Sequence, residues 1–309
     1  MSWSSPPVAA LFIGVVLAVG AYIVAVTDRA LGALVSKQPL RLGHAFAGPV
    51  RDGALLLVTR RSRTERPDTE AWALAPALVT AMAAAAVTTV PFAPGVVVAD
   101  LADGIVLIGA AFAVVMVGVY LHGWSANSPM PLLGGYRFIA LALSYEMPLA
   151  LVLIAAALPA ESLSVVTIVA SQDDVWNVVR QPLGLPIYLI AGLGLATWGP
   201  LNMADGADLA GGTALETSGP ARLAWEVARR SVVVAVAVVG AAVFLGGWQG
   251  PLLPGAIWMV LKALALVVVM SALGHRVARV RLERFVVVAW ALLIPFALVD
   301  VFVSGALAL

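Results

Sequence analysis

The chain has 309 residues, 62% of them hydrophobic and only 11% charged, with a net charge of +1 and a mean hydropathy of +1.01. That composition excludes an ordinary soluble domain, in which about a quarter of the residues are charged. The absence of cysteine excludes disulfides and thiolate-ligated clusters, and three scattered histidines (His44, His122, His275) form no ligand motif.

Eight apolar stretches follow one another at 9–26, 72–92, 104–122, 139–159, 185–199, 231–247, 256–273 and 285–304. Each is about long enough to cross a hydrocarbon layer of ~30 Å at ~1.5 Å per residue, the fifth being the shortest. The first has no basic region before it and no clear small-residue cleavage site, so it reads as a retained span. Of the 18 Lys and Arg residues, 16 fall in alternate gaps, with eight between the first two stretches. Only Arg180 breaks the alternation, and Lys262 lies inside a stretch. Basic side chains resist translocation, so both termini are expected outside and the basic gaps on the cytoplasmic face. The expectation is therefore an all-α polytopic membrane protein, residues 1–309 forming one integral membrane domain.

Between the spans, residues 27–71 and 198–230 are longer than connection requires. Within the first, AFAGPVRDGALLLV at 45–58 suits a helix lying along the interface. Residues 160–184 carry SVVTIVA followed by SQDDVWN, too short to span, and read as an external excursion. No internal repeat is visible, which weighs against inverted-repeat transporter folds and the stand-alone secondary transporter they would imply.

Ionisable residues at membrane depth need a partner, water or an ion path. Glu146 opens the fourth stretch, with Arg137 nine residues earlier and Pro148 two residues later; it reads either as a carboxylate reaching boundary water or as part of a polar path. Lys262, two turns into the seventh stretch, reads as a proton relay or as a stem that extends to the outer interface. Asp100, Asp103 and Asp300 read as carboxylates at solvated helix ends. Glu226 and Arg230 have the i, i+4 spacing of a helix ion pair. In PLNMADGADLAGGTALETSG at 200–219, Asp205, Asp208 and Glu216 form either a flexible polar loop or a carboxylate-lined entrance from the cytoplasmic side.

Several motifs in order carry a resemblance. GWSANSPMPLLGGYRFIALALSYEMPLAL at 123–151 resembles G-W-x-S-N-S-K-Y-x-L-L-G-x-x-R followed by S-Y-E. FLGGWQGPLLPGAIWMVLK at 244–262, RVRLERFVVVAWALLIPFAL at 279–298, and WALAPAL, VPFAPG and VADLADG in the second and third spans match further family segments. Together they cover most of residues 70–300. The chain thus resembles the H-type membrane component of the proton-translocating NADH:quinone oxidoreductases, the respiratory complex I family, related to the membrane subunit of energy-converting nickel-iron hydrogenases.

The resemblance implies a non-redox membrane subunit of an oxidoreductase complex, linking a peripheral redox arm to an ion-pumping membrane arm in the cell inner (cytoplasmic) membrane. It implies a proton path through Glu146, Arg137, Asp205, Asp208, Glu216, Glu226 and Lys262, and a quinone chamber that includes Gln38, Arg41 and Asp52. The expected partners are peripheral-arm redox subunits, antiporter-like membrane subunits and the lipid bilayer, with no nucleic acid. No cofactor is expected on this chain; iron-sulfur clusters and a flavin or nickel-iron centre belong on partner subunits, and quinone is the small molecule to enter the chamber. The alternative is the membrane subunit of an energy-converting (group 4) hydrogenase or formate hydrogenlyase-type complex without a quinone site. The sequence departs from the family pattern at Asn202, where the family has Asp, and at Arg229, where it usually has Glu.

Overall fold

The computed structural model describes residues 6–39 and 41–308. They fold into α1 (Pro6–Val35), α2 (Leu42–Val58), α3 (Thr69–Thr88), α4 (Gly104–Ser125), α5 (Pro129–Ala157), α6 (Val165–Ala170), α7 (Asn177–Arg180), α8 (Gly184–Leu195), α9 (Gly219–Phe244), α10 (Gly255–Arg276), α11 (Leu282–Val288) and α12 (Ile294–Ala308). One isolated bridge pairs Ala93 with Val96. A single wide π turn, Ala289–Leu293, joins α11 to α12. Its cause lies at Pro295, which has no N–H to return to the carbonyl four residues earlier and whose ring pushes that carbonyl away.

Among the described residues, seven helical segments are long and apolar enough to cross a membrane: α1, α3, α4, α5, α9, α10 and the combined α11–α12. The fifth expected span, 185–199, contains only the 12-residue α8, which extends roughly 18 Å at 1.5 Å per residue. Gly199 and Pro200 end the apolar run in a 3-10 turn, so this stretch has the composition of a span without its length. The chain ends, expected on the outer face, lie outside the described residues.

Helix α9 is the axis. Every residue from Ser231 to Phe244 is buried, and 89% of its apolar window is enclosed, against 28% for α1 and 22% for α11–α12. Its run of Val, Ala and Gly keeps the helix narrow, and neighbours approach it through their own glycines. A Cβ at Gly192 on α8 would overlap the Val236 side chain, and one at Gly20 on α1 would lie 2.7 Å from Val234. Outer helices instead leave Leu and Val exposed, as expected where lipid replaces protein.

Two boundaries differ from the hydropathy reading. Helix α5 starts at Pro129, a favoured first-turn residue, so Arg137 and Glu146 share one helix. Helix α9 starts at Gly219 and carries Arg222, Glu226, Arg229 and Arg230 on its first three turns. The segments 27–71 and 198–230, expected on one face, touch: the Ser62 N–H donates to Ser218 Oγ at 2.6 Å. Residues 45–58 fall in α2, whose sole buried residue is Ala45 and whose Leu42, Phe46, Val50 and Leu55 are exposed.

Candidate functional site at the polar end of the bundle

At this end of the bundle, charged residues take two forms. The first is an enclosed knot. The 200–219 segment folds back so that Asp205, its side chain 3% exposed, meets Arg229 on α9 at 3.1 Å. Trp225 Nε1 donates to Asp205 Oδ2 at 3.2 Å, and Thr213 donates to Oδ1. Arg229 also donates to Thr197 Oγ1 at 2.7 Å and to the Thr197 carbonyl at 2.5 Å. His122 lies flat on Trp225, ring centroids 3.7 Å apart, with its Nε2 3.3 Å from Thr217 Oγ1. Because both charges are enclosed and hydrogen-bonded, the pair is tolerated, and removal of either partner would leave the other uncompensated.

The second form is a cavity of about 520 Å³ between α1, α2 and α9. Its walls are Ala25, Asp28, Arg29, Pro49, Asp52, Gly53, Leu55 and Leu56 on one side and Arg222, Leu223, Glu226 and Arg230 on the other. Glu226 bridges Arg222 at 2.8 Å and Arg230 at 3.2 Å, both one helical turn away. Arg29 pairs with Asp52, and His275 at the end of α10 reaches Asp28 Oδ1 at 2.9 Å. Half the lining is apolar and half charged, and the volume lies in the range of small-molecule sites, about 300–1,000 Å³.

The expected site residues divide among these features and others. Asp52 and Glu226 come together in the cavity. Gln38 and Arg41 line an adjoining cavity of about 410 Å³ with His44, and Arg29 borders both. Asp208 lies between Arg137 of α5 and Arg279, the latter at 2.5 Å. The Arg137 hydrogen bond and the Arg279 charge hold its carboxyl below the usual 3.8. Glu216 accepts from Ser128 Oγ at 3.1 Å, at the entrance to α5.

Arg137 is thus engaged with the loop and not with Glu146, which is nine residues or roughly 13 Å farther along α5. Glu146 is half-buried and lines a cavity of about 260 Å³ with Phe112, Met116 and Leu149. Lys262 stands apart. Its ammonium donates to the Gln249 carbonyl at 2.6 Å and sits 4.0 Å over the Trp176 ring. Thirteen residues of α10 separate it from His275, roughly 20 Å.

Sequence reasoning missed Asp28, Thr197, Thr213, Trp225 and the stacked His122. Asp28 carried a signal, as an acid at the arginine-rich end of the first span; the others meet only through the tertiary fold. Asp100 accepts from Ser164 Oγ at 3.0 Å near a helix start. Asp300, expected at a solvated helix end, is instead 2% exposed, because it sits mid-helix on the face of α12 that packs against the bundle.

A sequence model described as NADH dehydrogenase matches residues 8–305. The chain belongs to the NADH dehydrogenase family. A Syntrophotalea carbinolica protein, named as the H component of an NADH-quinone oxidoreductase, is 30% identical over 308 residues, covering 96% of this chain and 93% of that one. A Rhizobium meliloti protein, named as the second such NADH-quinone oxidoreductase component, is 35% identical over 190 residues, 60% of this chain and 58% of its own length. A Geobacillus kaustophilus protein with the same component name is 34% identical over 188 residues, covering 56% of its length. The aligned part of this chain thus spans little more than half the length of several of these relatives. The pairing of Arg229 with Asp205 gives a physical reason for a cation near the start of the sixth expected span: it is matched by an acid on the facing loop.

Proposed function

We propose that this chain is the membrane subunit of a complex I-like NADH:quinone oxidoreductase in the cell inner membrane, joining redox subunits at its polar end to ion-translocating subunits alongside it. The observation that carries this reading is the 520 Å³ cavity between α1, α2 and α9, in whose walls Leu55, Leu56 and Leu223 are interspersed with Asp28, Arg29, Asp52, Arg222, Glu226 and Arg230. The leucine side chains suit a quinone ring and tail, and clustered ionisable groups respond when charge changes nearby. Flavin and iron-sulfur centres would lie on partner subunits, and this chain would perform no redox step.

In this reading Glu226, Asp28 and Asp52 respond first, since they border the cavity. Glu146 lies deeper, without an ion-pair partner among the described residues, and passes the effect into the membrane arm. Asp205 and Asp208 hold the 200–219 loop against the bundle as paired carboxylates. Helix α8, itself covered by α5 and α9, would complete an eighth crossing with its flanking turns, the Gly199 turn lying against Gly274 of α10; both termini would then lie outside.

The test is Glu226→Gln in the assembled complex. Quinone-linked proton translocation should fall severalfold with assembly intact. Unchanged translocation, or co-purification with a nickel-containing large subunit and no quinone reduction, would overturn the proposal.

A further inference from the structure

Away from the cavity, where α5, α7, α8, α9 and α12 meet, lies a second polar cluster that the proposed coupling does not use. Gln172, Asn177 and Gln181 are fully buried. Their amide nitrogens donate to carbonyls in the closing turns of α5 and α9: Gln172 to Ala242 at 3.0 Å, Asn177 to Ala156 at 3.3 Å and Val243 at 2.9 Å, and Gln181 to Ala155 at 2.9 Å. Helices leave their last carbonyls without internal partners, so these amides serve as caps. That service orients Gln181, because turning its amide over would set oxygen against the Ala155 carbonyl.

Gln181 Oε1 is therefore presented on the opposite side, where it has no hydrogen-bond partner among the described residues. Asp300 Oδ2, also buried and without a partner, points to the same place. A Cβ on Gly184 would lie 3.0 Å from Asp300 Oδ2, 3.3 Å from Gln181 Oε1 and 2.9 Å from the Phe244 ring. Two buried acceptors thus flank one glycine with no hydrogen between them. Ser304, one turn beyond Asp300, and Asn177 add further buried oxygens without partners.

No opposite charge compensates Asp300 among the described residues. The Tyr188 hydroxyl on α8 donates to the Val236 carbonyl, and Arg180 on α7 donates to the Ser171 carbonyl, both at 2.9 Å. Glu161, just past the end of α5, is itself an acid. The closing turns of α5 and α9 add partial negative charge, while the start of α8 directs no N–H to Asp300 among the described residues. An ionised carboxylate without a partner at this depth is strongly disfavoured.

We propose that Asp300 and Gln181 form a proton-binding site, in which the Asp300 carboxyl takes up one hydrogen ion and donates it in a hydrogen bond to Gln181 Oε1. A proton fits better than an alkali cation. The cation needs a fuller oxygen shell, and Phe244 closes one side of the gap.

The test uses native membranes holding the assembled complex, treated with dicyclohexylcarbodiimide, which attacks protonated carboxyls in apolar surroundings. Peptide mass spectrometry should find Asp300 modified at neutral pH, with labelling that falls as pH rises and does not change when sodium replaces potassium. Gln181→Leu, or Gly184→Ala if that variant does not accumulate, should move the midpoint to lower pH, since the neutral acid loses its acceptor. Asp300→Asn, whose amide can donate the same bond, should assemble normally and lose the label. Absence of label at every pH, protection by sodium, or an unmoved midpoint would each overturn the proposal.

Discussion

The Asp205–Arg229 knot and the α1–α2–α9 cavity draw on the same residue types within a few turns of one helix, yet their surroundings set them to different tasks. Asp205 accepts from a guanidinium, an indole and a hydroxyl with almost no exposure, so changing its charge would break several bonds at once. Among the described residues Glu226 pairs with Arg222 and Arg230 alone and borders open volume. Two adjacent residues illustrate the division: Arg229 faces inward to the knot and Arg230 faces the cavity. A charge fully enclosed by partners organises the fold, whereas one beside a cavity remains free to respond.

Removing Arg229 should do the most damage. Arg229→Met leaves a buried carboxylate without its counter-charge, and the expected loss is about 3–5 kcal/mol, read as depleted complex and a lower unfolding temperature. The double variant with Asp205→Leu should regain most of that loss. If Arg229→Met were as stable as the parent, the knot would not be structural.

Next in size is the stack beneath the knot. His122→Ala removes a ring 3.7 Å from Trp225, and the aromatic contact alone is worth about 0.5–1.5 kcal/mol beyond burial. The change should lower thermal stability with little effect on the cavity's response. On the other side of the comparison, Glu226→Gln should cost no more than about 1 kcal/mol, as part-exposed helix pairs do, while impairing coupled proton movement. A large stability loss with normal coupling would reverse the assignment of the two regions.

The smallest effect is that of Asp208. Arg137 and Arg279 hold its pKa below 3.8, so its contribution to stability is present above that value and lost as pH falls through the lower, folded value. The carboxylate is half exposed, and the gain is a fraction of about 1 kcal/mol after solvent screening. Asp208→Asn should therefore melt slightly below the parent at neutral pH, and the difference should close below pH 3.8. A difference that widened in acid would contradict the pairing.

Much of the architecture was legible because lipid imposes a simple rule on composition: runs of Ala, Val and Leu located the seven long spans, and arginines marked the touching segments 27–71 and 198–230. Helix ends were less legible. Hydropathy trims polar turns, so the first three turns of α9 read as loop although Pro220 and the Glu226–Arg230 spacing both favour a helix there. Helix α8 misled for the opposite reason, being apolar enough for a span because α5 and α9 cover it, but too short. Asp300 misled because its position near the end of an apolar run suggested water, while the face it occupies on α12 turns inward. The knot was not readable at all, since Thr197, Thr213 and His122 reach Asp205, Arg229 and Trp225 only once three separate segments have packed.

In the proposed function the α1–α2–α9 cavity receives the quinone. A photoreactive quinone analogue bound to the assembled complex and mapped by mass spectrometry should mark residues within 25–56 and 222–230, and excess unlabelled quinone should suppress the marking. Suppressible labelling confined to other parts of this chain, or none on this chain while the complex reduces quinone, would contradict it.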